Sequence, residues 1–229
     1  MPSVALAELN VAFEEIDHLQ AADPTPIGEV PVNPAVARAV GRASVVLLSS
    51  HFERYFYAIN EAAIEALNSN DVAFATIPEL LRLLHTKPAV EALSATNWEG
   101  QPRVGQLGEF VRADVWLWGG EPRGRLDPER LLTWMKAPTP ERIERYYRYW
   151  SIPDIFTTVA ASPAERSDLW LRIRDLVDKR NAIAHGDVQA EATKADVGSY
   201  SAAVMTFCSG ADLVLSDQLV DLFHLAAPW

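Results

Sequence analysis

The sequence predicts an all-α fold. Apolar residues recur at helical spacing along most of the chain, and the alternation typical of a half-buried strand is almost absent. Cap residues and first-turn prolines precede several of these stretches, in the arrangement that begins helices. The 229 residues are 49% hydrophobic and 22% charged, an ordinary balance for a packed globular protein. We therefore expect residues 1–229 to form a single all-α domain.

Two helices are predicted in the first part of the chain. Residues 4–19 have helical periodicity, whereas residues 23–33 contain three prolines. Prolines remove backbone donors and fix φ, so we interpret the second stretch as a linker. Asn33 as a cap and Pro34 at the first helical position then predict a long core helix over residues 34–67.

The middle of the chain, residues 68–161, is predicted to be a helical insertion. It carries five of the seven tryptophans: Trp98, Trp116, Trp118, Trp134 and Trp150. Short helices are expected over residues 77–85, 104–118, 127–136 and 139–150. The last of these is rich in tyrosine and arginine, and two interpretations remain open. We favour packing of the rings on the core over stacking on nucleic-acid bases.

Two strong helices are predicted to close the chain. A serine cap, a first-turn proline and a capping-box glutamate indicate a helix that begins after Ser162 and ends near His185, where Gly186 provides a stop. A helical pattern then covers residues 193–225, with Gly210 as a candidate break.

Composition disfavours several functional classes. The 20 Lys+Arg and 31 Asp+Glu give a net charge of −11, which argues against a protein that coats nucleic acid or anionic membranes by bulk charge. The single cysteine, Cys208, cannot form an intramolecular disulfide, and the N-terminus lacks the layout of a secretory signal. No apolar run approaches the roughly 18 residues of a membrane span. We therefore expect a cytoplasmic protein with no membrane partner.

One arginine occupies an unexpected position on the helix after Ser162. The apolar stripe of that helix consists of Leu169, Ile173, Leu176, Val177 and Ala184. Helical projection places Arg180 within this stripe. A buried guanidinium keeps its proton, so Arg180 needs a carboxylate, a subunit interface or an anionic ligand. Glu53, on the flank of the earlier core helix, is a candidate carboxylate.

A second stripe on this helix contains Arg174, Asp178, Asn181 and His185. Asn181 lies four residues before His185, close enough to orient the imidazole ring. Arg180 and His185 lie about 140° apart around an ideal helix. Pairing two copies of the helix across a two-fold axis would bring both residue types into one cleft.

The run of residues 176–186 resembles the R-x4-H signature of HEPN-domain proteins. Arg180 and His185 match the signature, and Asn181 is the polar residue that commonly follows the arginine. Residues 49–56 resemble part of the first core helices of the family, and the C-terminal helix resembles its last. The RiboL-PSP-HEPN set of stand-alone prokaryotic proteins is the most similar subgroup.

This resemblance covers residues 34–67 and 162–226 and leaves residues 68–161 as an insertion. It implies a bundle with long antiparallel core helices that forms a homodimer and, in many members, cleaves RNA without a metal or another cofactor. The RNA 2′-hydroxyl would attack the adjacent phosphorus, His185 would move a proton, and Arg180 would stabilise charge on the phosphoryl oxygens. Products would carry 2′,3′-cyclic phosphate and 5′-hydroxyl ends.

The resemblance also implies supporting roles. Asn181 would orient the ring or hold phosphate, and Lys179, Arg172 and Arg174 would form a local cationic field for RNA. Asp187 occupies the position at which members modified by a nucleotidyltransferase carry tyrosine, so that control mechanism has no acceptor here. An acid at this position would instead pair with His185 or repel RNA.

Two functions from different classes follow. The first is a metal-independent endoribonuclease, a toxin or defence effector with an antitoxin or regulatory protein as partner. The second is a non-catalytic HEPN-type module that binds a partner protein or a nucleotide, in which Arg180 is an ion-pair member and His185 a helix cap. The remaining histidines lack metal-ligand spacing and are expected to be structural or on the surface: His18, His51, His85 and His224.

Overall fold

A computed structural model describes residues 1–70, 72–95, 101–119 and 124–229. All regular secondary structure in these ranges is helical, which confirms the predicted fold class. The α-helices are α1 (Val4–Gln20), α2 (Pro34–Ser69), α3 (Glu79–Ala95), α4 (Gln101–Ala113), α5 (Pro128–Leu132), α6 (Pro140–Tyr149), α7 (Ile155–Val159), α8 (Pro163–Ala184) and α9 (Lys194–Phe223). Two 3-10 turns span Phe74–Thr76 and Val115–Trp118. Trp98 lies outside the described residues.

Most helices begin where their cap residues predict. The Asn33 side chain accepts a hydrogen bond from the Val36 backbone N–H at 3.2 Å at the start of α2. The Ser162 hydroxyl accepts from the Glu165 backbone N–H at the start of α8, and the Glu165 carboxylate accepts from the backbone N–H of Ala161 at 2.7 Å. These bonds satisfy backbone donors that the first helical turn leaves unpaired. The predicted starts of the two long core helices are therefore confirmed.

Several helices of the insertion differ from the sequence prediction. Helix α4 ends at Ala113 instead of Trp118, and α5 ends at Leu132 instead of Lys136.

Two larger differences concern α3 and α7. The prediction ended α3 at His85, but the helix continues through Pro88 to Ala95. A proline inside a helix removes its own N–H donor and crowds the carbonyl four residues earlier, yet helical structure is present on both sides of Pro88. Helix α7 was not predicted, because five residues are too few to show a period of 3.6. Asp154 caps α7 by accepting from the backbone N–H of Thr157 at 3.0 Å.

Paired contacts along α2 fix the direction of two neighbouring helices. On one side, Gln20 donates to Ser44 at 2.6 Å, and Glu15 lies 3.1 Å from His51. Residue numbers fall along α1 as they rise along α2, so α1 and α2 are antiparallel. On another side of α2, Arg42 contacts the carbonyl of Asp187 just after α8, and Glu53 contacts Arg180. Residue numbers again fall along one helix as they rise along the other. Helices α2 and α8 are therefore also antiparallel.

Helix α9 returns along α8 and runs parallel to α2. The Tyr200 hydroxyl, near the start of α9, donates to Asp175 on α8. The Tyr55 hydroxyl on α2 donates to the backbone carbonyl of Cys208 at 3.1 Å. By length and composition α9 is apolar enough to cross a membrane, and half of its most apolar window is buried inside the protein. A core helix of a helical bundle has the same composition.

The apolar core extends beyond residues 34–67 and 162–226, the two ranges that the family resemblance covers. Helix α1 contributes buried residues, among them Leu9 and Ile16, and α6 contributes Tyr146 and Tyr147. The Tyr147 ring packs edge-to-face on Phe207 of α9, with ring centroids 6.3 Å apart. Such aromatic pairs add about 0.5–1.5 kcal/mol beyond their buried area. The packing interpretation of these α6 rings is therefore confirmed.

A buried polar cluster organises the insertion. His85 Nδ1 lies 2.9 Å from Asp114, and His85 Nε2 accepts from the backbone N–H of Asp127 at 2.8 Å. Arg130 donates to both carboxylate oxygens of Asp114 at 2.9 Å. Burial acts to raise the pKa of Asp114, but hydrogen bonds from His85 and Arg130 hold it below its usual value. Because both ring nitrogens of His85 are engaged, this cluster is structural, as expected for His85.

Gly210 does not break α9 but makes room for α7. A Cβ atom at Gly210 would lie 2.5 Å from Cγ1 of Val159, whereas a Cβ atom at Gly198 in the same helix meets nothing within 4 Å. We expect Gly210→Ala to lower the free energy of unfolding by about 1–3 kcal/mol. Gly198→Ala is expected to raise it by about 0.5–1 kcal/mol, because alanine favours helix. Urea denaturation of both variants measures the contrast, and equal stabilisation by the two would contradict the packing argument.

Candidate functional site

The site predicted from the sequence lies at the C-terminal end of α8, which closes in a Schellman motif. Gly186 has a φ of 84°, in the left-handed region. Its N–H bonds to the carbonyl of Ile183 at 3.1 Å, and the N–H of Asp187 bonds to that of Ala182 at 3.0 Å. This pattern ends a helix and satisfies its last carbonyl groups. The predicted glycine stop is confirmed, and it fixes where the chain turns after His185.

The loop that follows His185 is anchored on α2. The backbone carbonyl oxygens of Asp187 and Ala190 each accept a hydrogen bond from Arg42 Nη1 at 2.7 Å. Helix α2 and the loop also approach closely at Gly41, where a Cβ atom would lie 2.0 Å from the backbone oxygen of Ala192. Only glycine permits so close an approach of helix and loop. These contacts hold the segment beside the imidazole in one position.

Arg180 is half-buried between α8 and α2, with 28% of its side chain exposed. Its Nη2 atom lies 3.6 Å from Glu53 Oε2, and its Nη1 atom donates to Asn181 Oδ1 at 3.0 Å. Glu53, the candidate carboxylate, is thus confirmed as a partner. A separation of 3.6 Å exceeds hydrogen-bond length, so the ion pair leaves guanidinium donors uncommitted. Partial burial raises the pKa of Glu53, and the charges of Arg180 and Arg142 oppose that rise.

His185 caps α8 and is exposed to solvent. Its backbone N–H bonds to the Asn181 carbonyl, but no described side chain hydrogen-bonds to its ring. The side chain of Asn181 is turned toward Arg180, so it does not orient the imidazole as expected. The Asp187 carboxylate accepts from the backbone N–H of Gln189 at 2.8 Å and does not pair with His185. The imidazole is therefore accessible to a ligand.

The expected apolar stripe of α8 is present except at its last member. Leu169, Ile173, Leu176 and Val177 are buried, whereas Ala184 is exposed. The inclusion of Ala184 was therefore wrong. Residues 181–185 are half-buried or exposed, which shows that the last turn of α8 projects beyond the core. Helical projection assigns a face but cannot tell where the neighbouring helices end.

The expected cationic field is largely neutralised within the chain. Each of its members lies beside a carboxylate: Arg172 beside Asp168, Arg174 beside Glu141 and Lys179 beside Asp175. Arg174 also stacks over the Trp170 ring, 4.3 Å from its centroid. Exposed ion pairs contribute little stability, but they do reduce the local positive potential. Arg180 differs from these three cations in that its carboxylate partner, Glu53, lies on α2.

Arg42 and Arg142 were not identified from the sequence. Arg42 lies 11 residues before Glu53, three helical turns that return to within about 20° of the same face of α2. Helical spacing could therefore have linked Arg42 to Glu53. No sequence signal connects Arg142, on α6, with Glu53, because that relation depends on how α6 packs.

An open groove lies between α2 and the end of α8, and we call it the α2–α8 groove. It has a volume of about 490 Å³ and is lined by Leu19, Arg42, Ala43, Val46, Leu47, Ser50 and Ile183. Its lining is mainly apolar, and Arg42 joins it to the loop after His185. Among the described residues, no group of three histidine, cysteine, aspartate or glutamate side chains is arranged to hold a metal ion.

No family model, curated protein or solved structure matches this chain.

Proposed function

We propose that the chain is a metal-independent endoribonuclease of HEPN type that acts as a homodimer. One observation carries the proposal: a single helix end combines an accessible imidazole, His185, with a half-buried guanidinium, Arg180, whose ion pair is longer than a hydrogen bond. A proton carrier and a donor for phosphate oxygens are the two functions that RNA transesterification requires.

In the proposed reaction the RNA 2′-hydroxyl attacks the adjacent phosphorus. His185 takes the proton from this hydroxyl, a bond forms between O2′ and phosphorus, and the bond from phosphorus to O5′ breaks. The leaving O5′ atom receives a proton, which the His185 imidazolium of the second copy can supply. Arg180 donates to the phosphoryl oxygens as negative charge grows on them. The products are a 2′,3′-cyclic phosphate and a 5′-hydroxyl end.

Glu53 and Asn181 are positioning residues in this scheme. Both contact the Arg180 guanidinium and restrict its rotamers, which lowers the entropy lost when the side chain binds phosphate. A phosphate oxygen at hydrogen-bond distance would interact with Arg180 more strongly than the Glu53 carboxylate does at 3.6 Å. Substrate binding can therefore redirect the side chain without breaking a strong ion pair.

The proposed homodimer uses the α2–α8 groove. Apolar side chains of this groove, such as Val46, are partly exposed, and the groove adjoins the candidate site. An exposed apolar surface of this kind is typical of a protein interface. Covering the groove with a second copy would bury them and place two copies of Arg180 and His185 near the two-fold axis. A cytoplasmic toxin or defence role, restrained by an antitoxin or regulatory protein, completes the proposal, since uncontrolled RNA cleavage harms its host.

The test is RNA cleavage by the purified chain in EDTA. We expect structured RNA to be cut into fragments with 2′,3′-cyclic phosphate and 5′-hydroxyl ends, because none of the proposed steps uses a metal. Mass spectrometry of the fragments identifies the ends, and light scattering should give twice the mass of one chain. Intact RNA at high protein concentration would overturn the nuclease proposal, and a monomer mass would overturn the dimeric site.

A non-catalytic HEPN-type module is the second candidate. The observation in its favour is the neutralisation of Arg172, Arg174 and Lys179 by neighbouring carboxylates, which weakens electrostatic attraction for long RNA. In that case Arg180 would bind a single phosphate of a nucleotide or an acid of a partner protein. Saturable nucleotide binding that Arg180→Ala abolishes, without RNA cleavage, would favour this function over the first.

A further inference from the structure

Helix α3 presents apolar side chains on two faces. Leu81 and Leu84 face the core and are buried. On another face Leu80, Leu83 and Val90 are 51%, 55% and 47% exposed. Single exposed apolar residues are common, but three on one face of a helix indicate a binding surface.

These exposed residues line a groove between α3 and α6, which we call the α3–α6 groove. It has a volume of about 420 Å³, with Leu80, Leu83 and Val90 on one side and Arg145 and Tyr149 on the other. Arg145 Nε donates to the Tyr149 hydroxyl at 2.6 Å. The Arg145 guanidinium also stacks over Trp134, 4.6 Å from the ring centroid. The α6 wall is therefore held in place before anything binds.

The dimensions of the α3–α6 groove suit a helix. The exposed apolar positions extend from Leu80 to Val90, which corresponds to about 15 Å along α3, or roughly three helical turns. Two packed helices with an apolar furrow between them accept a third helix through its apolar stripe. The lining is mainly aliphatic on the α3 side, so it offers few stacking surfaces for nucleic-acid bases.

Charge at the rim indicates the kind of helix. Arg145 forms no ion pair with a carboxylate of the described residues, although the whole chain has a net charge of −11. Lys87 lies 3.5 Å from Glu91, but both side chains are more than half exposed, so their ion pair contributes little. The charged residues of the lining are Arg145, Lys87 and Glu91, two cations and one carboxylate, so the groove combines an apolar floor with an excess of positive charge that an acidic partner would neutralise.

We propose that the α3–α6 groove binds an amphipathic helix of a partner protein, about three turns long, with acidic residues flanking its apolar stripe. The proposal does not rest on the nuclease function, because none of its residues belongs to the site at the end of α8. It assigns a protein-binding role to the insertion.

Two synthetic peptides test the charge requirement. Both are about 15 residues long and share one stripe of leucines, but one has glutamate and the other lysine at the flanking positions. Fluorescence anisotropy with the full chain should show the glutamate peptide binding at least about tenfold more tightly, since its charges meet Arg145 and Lys87. Arg145→Glu should reduce that preference. Equal or tighter binding of the lysine peptide, or no binding of either, would overturn the proposal.

Two matched leucines test the location. Leu83 on α3 and Leu107 on α4 are 55% and 50% exposed, so aspartate at either position should leave the fold intact. Circular dichroism and thermal melting verify this. Leu83→Asp should weaken the glutamate peptide at least about tenfold, and Leu107→Asp should leave its affinity unchanged.

Three results would assign the groove to a different occupant or place. Equal effects of the two aspartate substitutions would move binding away from the α3–α6 groove. A dimer mass that only Leu83→Asp reduces to a monomer mass would make a second copy the occupant. Displacement of the glutamate peptide by single-stranded RNA, dependent on Arg145, would make RNA the ligand. Each of these results would overturn the proposal of a partner helix.

Discussion

Alanine at His185 is expected to lower RNA cleavage at least about 100-fold, because a positioned acid or base contributes about 10²–10⁴ to the rate. The ring is exposed and makes no side-chain hydrogen bond within the described chain, so its removal should not disturb folding. Alanine at Arg180 should lower the cleavage rate by a factor of about 10²–10³, the usual effect of removing a donor to a developing oxyanion. Rates of fragment formation in EDTA measure both effects.

Arg172→Ala is the matched control for the arginine substitution. It removes a guanidinium from the same helix, one that is paired with Asp168 and lies away from Glu53. We expect its cleavage rate to stay within about threefold of the original chain, since an exposed ion pair contributes little. Arg180→Lys should recover little activity, because an ammonium lacks the planar fork that meets two phosphate oxygens. Unchanged cleavage by Arg180→Ala would exclude the proposed role of Arg180.

Gly41→Ala is expected to be among the most destabilising single substitutions in the chain. A Cβ atom at this position would lie 2.0 Å from the backbone oxygen of Ala192, and backbone cannot rotate away as a flexible side chain can. Overpacking typically costs about 1–3 kcal/mol and occasionally more. The gain in helix propensity from glycine to alanine is only about 1 kcal/mol, so the loss should prevail. Urea denaturation measures the free energy of unfolding.

Gly108→Ala in α4 is the control for this prediction, because a Cβ atom there meets nothing within 4 Å. It should raise stability slightly. If Gly41→Ala is as stable as Gly108→Ala, helix α2 does not approach the loop as closely as described. Arg42→Gln is a second, independent way to loosen the same loop. It weakens the hydrogen bonds to the carbonyl groups of Asp187 and Ala190 without adding atoms beside Ala192. Both Gly41→Ala and Arg42→Gln should reduce RNA cleavage by displacing the loop after His185.

Helix boundaries were predictable where they depend on neighbouring residues. Asn33 and Ser162 accept bonds from the backbone three residues later, and Gly186 supplies the left-handed conformation that its own sequence position requires. The C-terminal end of helix α3 was not predictable in this way. The sequence prediction ended this helix at His85, whereas the helix continues through Pro88 to Ala95.

The candidate site was predictable only in part. The sequence identified Arg180 as a cation that needs a partner and Glu53 as a candidate, and the structure confirms their contact. Asn181 was expected to orient the His185 ring, yet its side chain accepts a hydrogen bond from Arg180. Four residues of helical spacing place two side chains on one face, but rotamers and neighbours decide which atoms meet.

By itself the sequence determined the all-α class, the start of each long helix and the stop at Gly186, because caps, prolines and apolar periodicity act within one or two turns. Only the tertiary structure decided which charges are neutralised, how closely α2 approaches Ala192, and which apolar faces stay uncovered on α3. These features depend on contacts between residues far apart in the chain. The free energy of such contacts depends on packing geometry, which local sequence patterns do not encode.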